Sequence, residues 1–213
     1  MSNKKKAIFF DLDGTLWDAV PFLTESWNKT MEKNGYHYRF TTTLMKSLMG
    51  LTPLETCPLA FPNAPNGMEL FKMVLYDEIA YLKEHPGTLY PHEREVLKEL
   101  KELYPLYIIS NSDQGYVENY LEACRMQEYF QRHLCQGDTK LDKWQNILYL
   151  KNLEQLDEVI YVGDTKKDME ECQKANVTFI HASYGFGVIE NAKYKITSLL
   201  ELKDVIKQIF EGE

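Results

Sequence analysis

Apolar residues follow two rhythms along this chain, and the change between them divides it. After Lys6 comes a short run, Ala7-Ile8-Phe9-Phe10, that is apolar at every position. A strand covered on both faces, in the middle of a parallel sheet, needs such a run. From Ala19 to Glu84 the spacing turns helical and strand patterns nearly vanish. Phe22, Leu23, Trp27 and Met31 predict an amphipathic helix ending near Asn34-Gly35, and Thr41 to Leu48 predicts a second. Gly50-Leu51-Thr52-Pro53 interrupts the pattern, and a further helix is expected from Leu54, with proline at an early position. Phe61 to Gly67 is a loop rich in chain breakers, and Met68 to Leu82 resumes helical spacing through Leu70, Phe71, Val74, Leu75 and Ile79.

Beyond a hinge at His85-Pro86-Gly87 the chain alternates. Strands are expected at 106–109, 133–135, 159–162 and 177–180, and helices at 93–103, 116–124, 142–150, 167–175 and 199–210. Alternation of this kind implies βαβ units around a parallel sheet. The first strand must rejoin that sheet, so the helical block is an insertion directly after it.

Composition narrows the function. A chain of 213 residues fits one large domain, or a domain with an insertion, and should bury roughly 70% of its unfolded surface. The net charge of −8 argues against general nucleic-acid binding, although a local metal can still draw a small anion to an acidic protein. Cys57, Cys124, Cys135 and Cys172 are widely spaced and form no CxxC pair, so reduced thiols are expected rather than a thiolate metal site. The N-terminus is polar and its apolar run too short for a signal peptide. No apolar stretch approaches the length of a membrane span. A cytoplasmic protein is expected, with neither nucleic acid nor membrane as partner; monomer and homodimer both stay open.

The candidate chemistry gathers at strand ends. Asp11 and Asp13 follow the first strand, with Gly14 allowing a tight turn behind them. Ser110 and Asn111 follow the strand expected at 106–109, and Asp164 follows the strand at Val159. On a helix opening near Thr165, Asp168 would face the same place as Asp164. In a parallel sheet these ends share one edge, where ligands bind. Carboxylates held together need a cation, or one keeps its proton. Three or four of them make an all-oxygen site suited to Mg2+.

Asp11-Leu12-Asp13-Gly14-Thr15 resembles the first motif of the haloacid dehalogenase-like hydrolase superfamily. Ser110 after its strand resembles the second motif, and Gly163-Asp164-Thr165-Lys166-Lys167-Asp168 the fourth. An insertion directly after the first motif suits members that carry a helical cap. Within them the chain is similar to the phosphoglycolate phosphatase-like branch, as is His181-Ala182-Ser183-Tyr184-Gly185-Phe186-Gly187 after the last predicted strand. The third motif is a single lysine. Lys143 is preferred, because Lys-x-x-Asn-Ile matches an alternative form of that motif and Lys143 lies in a first helical turn; Lys140 is the fallback. That branch commonly has proline where this chain has Trp144.

The resemblance implies an α/β fold: a three-layer Rossmann-like parallel sheet core, residues 1–16 and 87–213, with an inserted α-helical cap domain, residues 17–86. Trp17-Asp18-Ala19 and His85-Pro86-Gly87 would be the hinge strands. It implies a Mg2+-dependent phosphatase that hydrolyses small phosphorylated metabolites through an aspartyl-phosphate intermediate. Asp11 would be the nucleophile, and Asp13 the general acid and base. Asp11, Asp164 and the backbone carbonyl of Asp13 would hold the metal, with Asp168 supporting the site or binding directly. Ser110, Asn111 and Thr15 would hold the phosphate, and Lys143 would offset its charge. Met49-Gly50-Leu51-Thr52-Pro53 resembles the specificity loop of such caps, with Arg39 and Lys46 as possible contacts to an anionic leaving group. Two other readings share parts of this pattern. A phosphosugar mutase of the same superfamily uses the first motif and a cap. A receiver-type signalling domain combines clustered aspartates with Mg2+, but lacks an acid two residues after its phosphorylated aspartate.

Overall fold

The all-apolar run forms the first strand, β1 (Lys6–Phe10), and Ala7 through Phe10 are fully buried. The computed structural model describes residues 4–212, so residues 1–3 and 213 of the expected core lie outside the described residues. After β1 come β2 (Trp17–Asp18), α1 (Val20–Lys33), α2 (Thr42–Leu48), α3 (Pro53–Ala60) and α4 (Gly67–Glu84). Then follow β3 (Thr88–Leu89), α5 (Glu93–Lys101), β4 (Leu106–Ser110), α6 (Tyr116–Ala123), β5 (Arg132–Cys135), α7 (Gln136–Thr139) and α8 (Lys143–Leu153). The chain continues through β6 (Glu158–Gly163), α9 (Lys166–Ala175), β7 (Thr178–Ala182), β8 (Tyr194–Ile196) and α10 (Leu202–Glu211).

Six strands of the described residues form one parallel sheet in the order β5-β4-β1-β6-β7-β8. The central strand pairs with β4 on one side and β6 on the other, so the strand order runs outward from β1 in both directions. Side chains alternate across the sheet. Ala7, Phe9, Tyr107, Ile109 and Tyr161 pack with Ile147 and Leu150 of α8 and Cys172 and Ala175 of α9. Ile8, Phe10, Ile108 and Val162 face the opposite layer, with Leu97 of α5, Tyr120 of α6 and Ile206 of α10. These are the three layers expected. Helices α1 to α4 pack on one another around Trp27, whose ring meets Phe40 edge-on at 5.1 Å and Phe71 at 5.9 Å. Their apolar core is continuous with that of the sheet layer.

The two hinge segments pair as an antiparallel ribbon, Trp17 opposite Leu89 and Asp18 opposite Thr88. The second strand thus starts at Thr88, just after Gly87, whose missing side chain is what lets Trp17 come close: a Cβ there would stand 2.7 Å from the indole. β8 was not anticipated; only three residues long, it shows no apolar run of its own. Likewise α5 stops at Lys101, two residues short of expectation, because Leu103 lies exposed beyond it. All four cysteines are free and buried. No described helix is long and apolar enough to cross a membrane.

Glu93, at the start of α5, is almost wholly buried and accepts a 2.5 Å hydrogen bond from the Tyr120 hydroxyl. Burial pushes its carboxyl up to about 8 from an ordinary value of 4.5. The folded chain therefore keeps a proton that the unfolded chain releases, and stability falls as pH rises from about 5 to 8. Glu93→Gln keeps the acceptor and cannot ionise. Its melting temperature should exceed that of the wild type by several degrees at pH 8, on the order of 2 kcal/mol, and by little at pH 5. Parallel melting curves over that range check it; a difference that stays constant with pH counts against the assignment.

Candidate active site

Because β1, β4 and β6 are neighbours and parallel, their carboxyl ends share one edge. Asp11 leaves β1 there, and its N–H donates to the Val162 carbonyl at 2.8 Å, which ties it to β6. Ser110 closes β4 with Asn111 beyond it, and Asp164 follows β6. Asp11, Ser110, Asn111 and Asp164 are all buried.

A lysine reaches these acids from α8. Asp142 caps that helix, its N–H bonded to the Gln145 side chain at 3.0 Å, and this fixes the first turn. Lys143, the next residue, is 1% exposed. Its Nζ donates to Asp11 Oδ1 at 2.7 Å and to Asp168 Oδ1 at 2.5 Å, with the Tyr161 ring 5.5 Å away. Asp168 is the third residue of α9, and its Oδ2 accepts from Thr165 N at 3.0 Å and Thr165 Oγ1 at 2.5 Å. Both of its oxygens are therefore engaged. Lys140 turns elsewhere: its backbone sits at φ +59° and its Nζ bonds the Gly137 carbonyl.

Electrostatics favour a further positive charge at this edge. Burial and then Asp168 push Asp11 up to about 6, against the pull of Lys143. Burial, Asp168 and Asp11 raise Asp164 well above its ordinary value. Burial alone would lower Lys143, but Asp11 and Asp168 more than reverse that and hold it protonated. One lysine among three buried acids leaves negative charge uncompensated.

The donor set fits a hard divalent cation. Asp11, Asp164 and Asp168 each offer an oxygen within 4.8 Å of the others, and all three side chains are buried. Asp164 Oδ2 accepts from Phe186 N at 2.7 Å, whereas its buried Oδ1 has no partner among the described residues. An orphaned buried carboxylate oxygen is costly unless a cation meets it. Gly14 makes room for this arrangement. At φ +80°, with a Cβ that would stand 2.2 Å from Asp164 Oδ2, only glycine fits.

Asp13 is held differently. Trp17 Nε1 and the Tyr116 hydroxyl both donate to its Oδ1, at 3.0 and 2.9 Å. Burial, then Asp11, pushes this carboxyl up to about 7, and the two hydrogen bonds oppose the rise. With Oδ1 occupied by donors, Oδ2 is the oxygen left to exchange a proton. Trp17 and Tyr116 were not anticipated as site residues. Trp17 has a local signal, four residues after Asp13; Tyr116 has none, since 103 residues separate the pair.

A cavity of about 80 Å³ opens beside Asp11 and Asp13, with Ser110 and Asn111 on its sheet side. Leu23, Met45, Leu51 and Phe71 wall it from the helical unit, and Asn111 Nδ2 bonds the Gly50 carbonyl at 2.8 Å, joining the 49–53 loop to the sheet edge. Thr15 does not line this cavity; its hydroxyl is buried without a partner among the described residues. Neither does Arg39, which pairs with Glu32 at 3.6 Å on the surface, nor Lys46, whose exposed ammonium lies 5.3 Å from the Phe186 ring.

Known proteins share this arrangement of elements. The model of the haloacid dehalogenase-like hydrolase family matches residues 8–182. A phosphorylated carbohydrates phosphatase of Thermotoga maritima is 24% identical over 96% of this chain and 99% of its own. A phosphoglycolate phosphatase of Vibrio parahaemolyticus is 26% identical over 94% of this chain and 96% of its own. Among solved structures, a haloacid dehalogenase-like family hydrolase from Streptococcus pneumoniae superposes with a TM-score of 0.80 at 21% identity, covering 97% of this chain and all of that one. CbbY from Rhodobacter sphaeroides, in complex with phosphate, superposes at 0.78 and 16% identity, covering 94% and 96%.

Proposed function

The chain belongs to the haloacid dehalogenase-like hydrolase family, and from that premise we propose that it is a Mg2+-dependent phosphatase of small phosphomonoesters working through an aspartyl-phosphate intermediate. The observation that carries this is the Lys143 ammonium, buried at 2.7 Å from Asp11 and 2.5 Å from Asp168, beneath a cavity that Asp11 and Asp13 share. Relatives named as phosphatases over nearly their whole length support the same reading.

Asp11 attacks phosphorus, and the bond to the leaving alkoxide breaks as the aspartyl phosphate forms. Asp13 gives its proton to that alkoxide. A carboxyl pushed up to about 7 still holds a proton near neutral pH. In the second half the same residue, now ionised, takes a proton from the water that attacks the acyl phosphate. Trp17 and Tyr116 keep Asp13 aimed at the reacting oxygen through both halves. Ser110 and Asn111 hold phosphoryl oxygens, and Lys143 balances charge that builds on them. Asp11 and Asp164, with the Asp13 carbonyl, would hold Mg2+, which offsets repulsion between a carboxylate nucleophile and a phosphate dianion. Asp168 keeps Lys143 in place through its 2.5 Å bond. Residues 17–86 act as a cap that closes over the cavity and excludes water.

Hydrolysis of p-nitrophenyl phosphate, followed as inorganic phosphate, tests this. Turnover is expected with Mg2+ and should fall by at least about a hundredfold with excess chelator, then return when Mg2+ is restored. Turnover indifferent to chelator would remove the metal from the reading. A requirement for an activating bisphosphate, with no phosphate released, would favour the phosphosugar mutase.

A further inference from the structure

The walls of the cavity carry acid where an anionic leaving group would need a base. Glu78, on α4, is 4% exposed and lines the cavity together with Asp13 and Asp113. Trp27 Nε1 donates to its Oε2 at 2.6 Å, which pins the carboxyl at the wall and leaves Oε1 for a ligand. No lysine, arginine or histidine is among the described residues that line the space. Two further wall atoms, Asn111 Oδ1 and Ser112 Oγ, are buried without partners among the described residues. The Asn111 carbonyl oxygen can only accept, so it calls for a ligand that brings a donor, and the Ser112 hydroxyl can meet the same ligand in either sense.

The charge environment points the same way. Burial pushes Glu78 up to about 8, with Asp13 and Asp113 adding to the rise. Low polarity and neighbouring acids disfavour the Glu78 carboxylate, and a substrate carboxylate placed beside it would meet the same penalty. An ammonium group or a hydroxyl would not. An ammonium would favour the ionised form of Glu78 and pair with it, and a hydroxyl would donate to it while its carbon frame packed on Leu23, Met45 and Phe71.

We propose that this cavity selects phosphomonoesters whose leaving alcohol carries its own hydrogen-bond donor and no negative charge, with Glu78 as the residue that sets the preference. The carboxylate of phosphoglycolate is thereby rejected. This rests on the phosphatase reading above, so binding and turnover are measured separately.

Binding is read by calorimetry in Mg2+ on Asp11→Asn, which cannot form the phosphoenzyme, with inorganic phosphate as the control. Ethanolamine phosphate and glycerol phosphate should each bind at least about tenfold tighter than phosphoglycolate, because a carboxylate buried beside Glu78, Asp13 and Asp113 loses its water and meets no cation on the wall. Adding Glu78→Gln, which keeps the shape and the Trp27 bond, should shrink the preference for ethanolamine phosphate over phosphoglycolate by about tenfold. Phosphoglycolate binding as tightly as the other two would overturn the proposal. So would a ratio unmoved by Glu78→Gln, or capture of inorganic phosphate with neither of the donor-bearing esters bound. Failure of the wild type to release phosphate from any ester sinks only the phosphatase reading, since the binding ranking does not depend on turnover.

Discussion

Asp11→Asn should remove turnover of p-nitrophenyl phosphate, by on the order of 10⁴-fold or more, as loss of a covalent nucleophile does in other hydrolases. The amide oxygen is a poor nucleophile toward phosphorus, and no other carboxylate occupies the end of β1 so rigidly. Asp13 has its Oδ1 tied to Trp17 and Tyr116, Asp168 has both oxygens engaged, and Asp164 is held by Phe186. The fold should survive. Asparagine is the same shape and still offers Lys143 an oxygen, while Asp168 keeps the lysine's charge paired. Removing an acid whose carboxyl is already pushed up by burial costs little. The expected outcome is a melting temperature within a few degrees of the wild type beside a dead enzyme. Retained turnover in a folded variant would end the assignment of Asp11.

What could be read in advance divides along a physical line. β1 announced itself because a strand covered on both faces has no polar face, and its all-apolar run has one good explanation. Asp11, Ser110 and Asp164 were legible as a group for the same reason: each ends such a run, and parallel strands put their ends together. Lys143 could be separated from Lys140 by its place in a first helical turn, and only Lys143 is brought to Asp11. The other side of the site left no such trace. Tyr116 reaches Asp13 from another element, and Asn111 sends its amide to a backbone carbonyl 61 residues away. Glu78 falls on a helix whose apolar neighbours gave no sign that an acid among them was buried. Arg39 and Lys46 illustrate the converse. Their charge fitted an anionic ligand, but a surface helix and a surface partner claim them instead. Periodicity reports which face of an element is buried; it does not report against what.

Lys143→Met should lower both activity and stability, and the two losses should respond differently to Mg2+. A buried ion pair stripped of one partner leaves an uncompensated charge, at a cost of about 3–5 kcal/mol. Here the stripped partners are two, Asp11 and Asp168, in a site where Asp164 already has an oxygen without a partner. Methionine fills the volume without the charge, so the deficit is electrostatic and a bound cation should relieve part of it. The rise in melting temperature on adding Mg2+ should therefore be larger in the variant than in the wild type, because a ligand stabilises in proportion to its affinity for the folded state. Activity should not recover with it. A metal that neutralises the acids cannot supply the positioned ammonium that meets charge building on the phosphoryl group, a loss of about 10²–10³-fold in rate. Lys140→Met serves as the control, since among the described residues that side chain bonds the nearby Gly137 carbonyl rather than the acids, and its loss should leave turnover as it was. Equal Mg2+ responses in Lys143→Met and the wild type would mean that lysine and metal do not share the same acids, and the charge balance argued for this edge would fail.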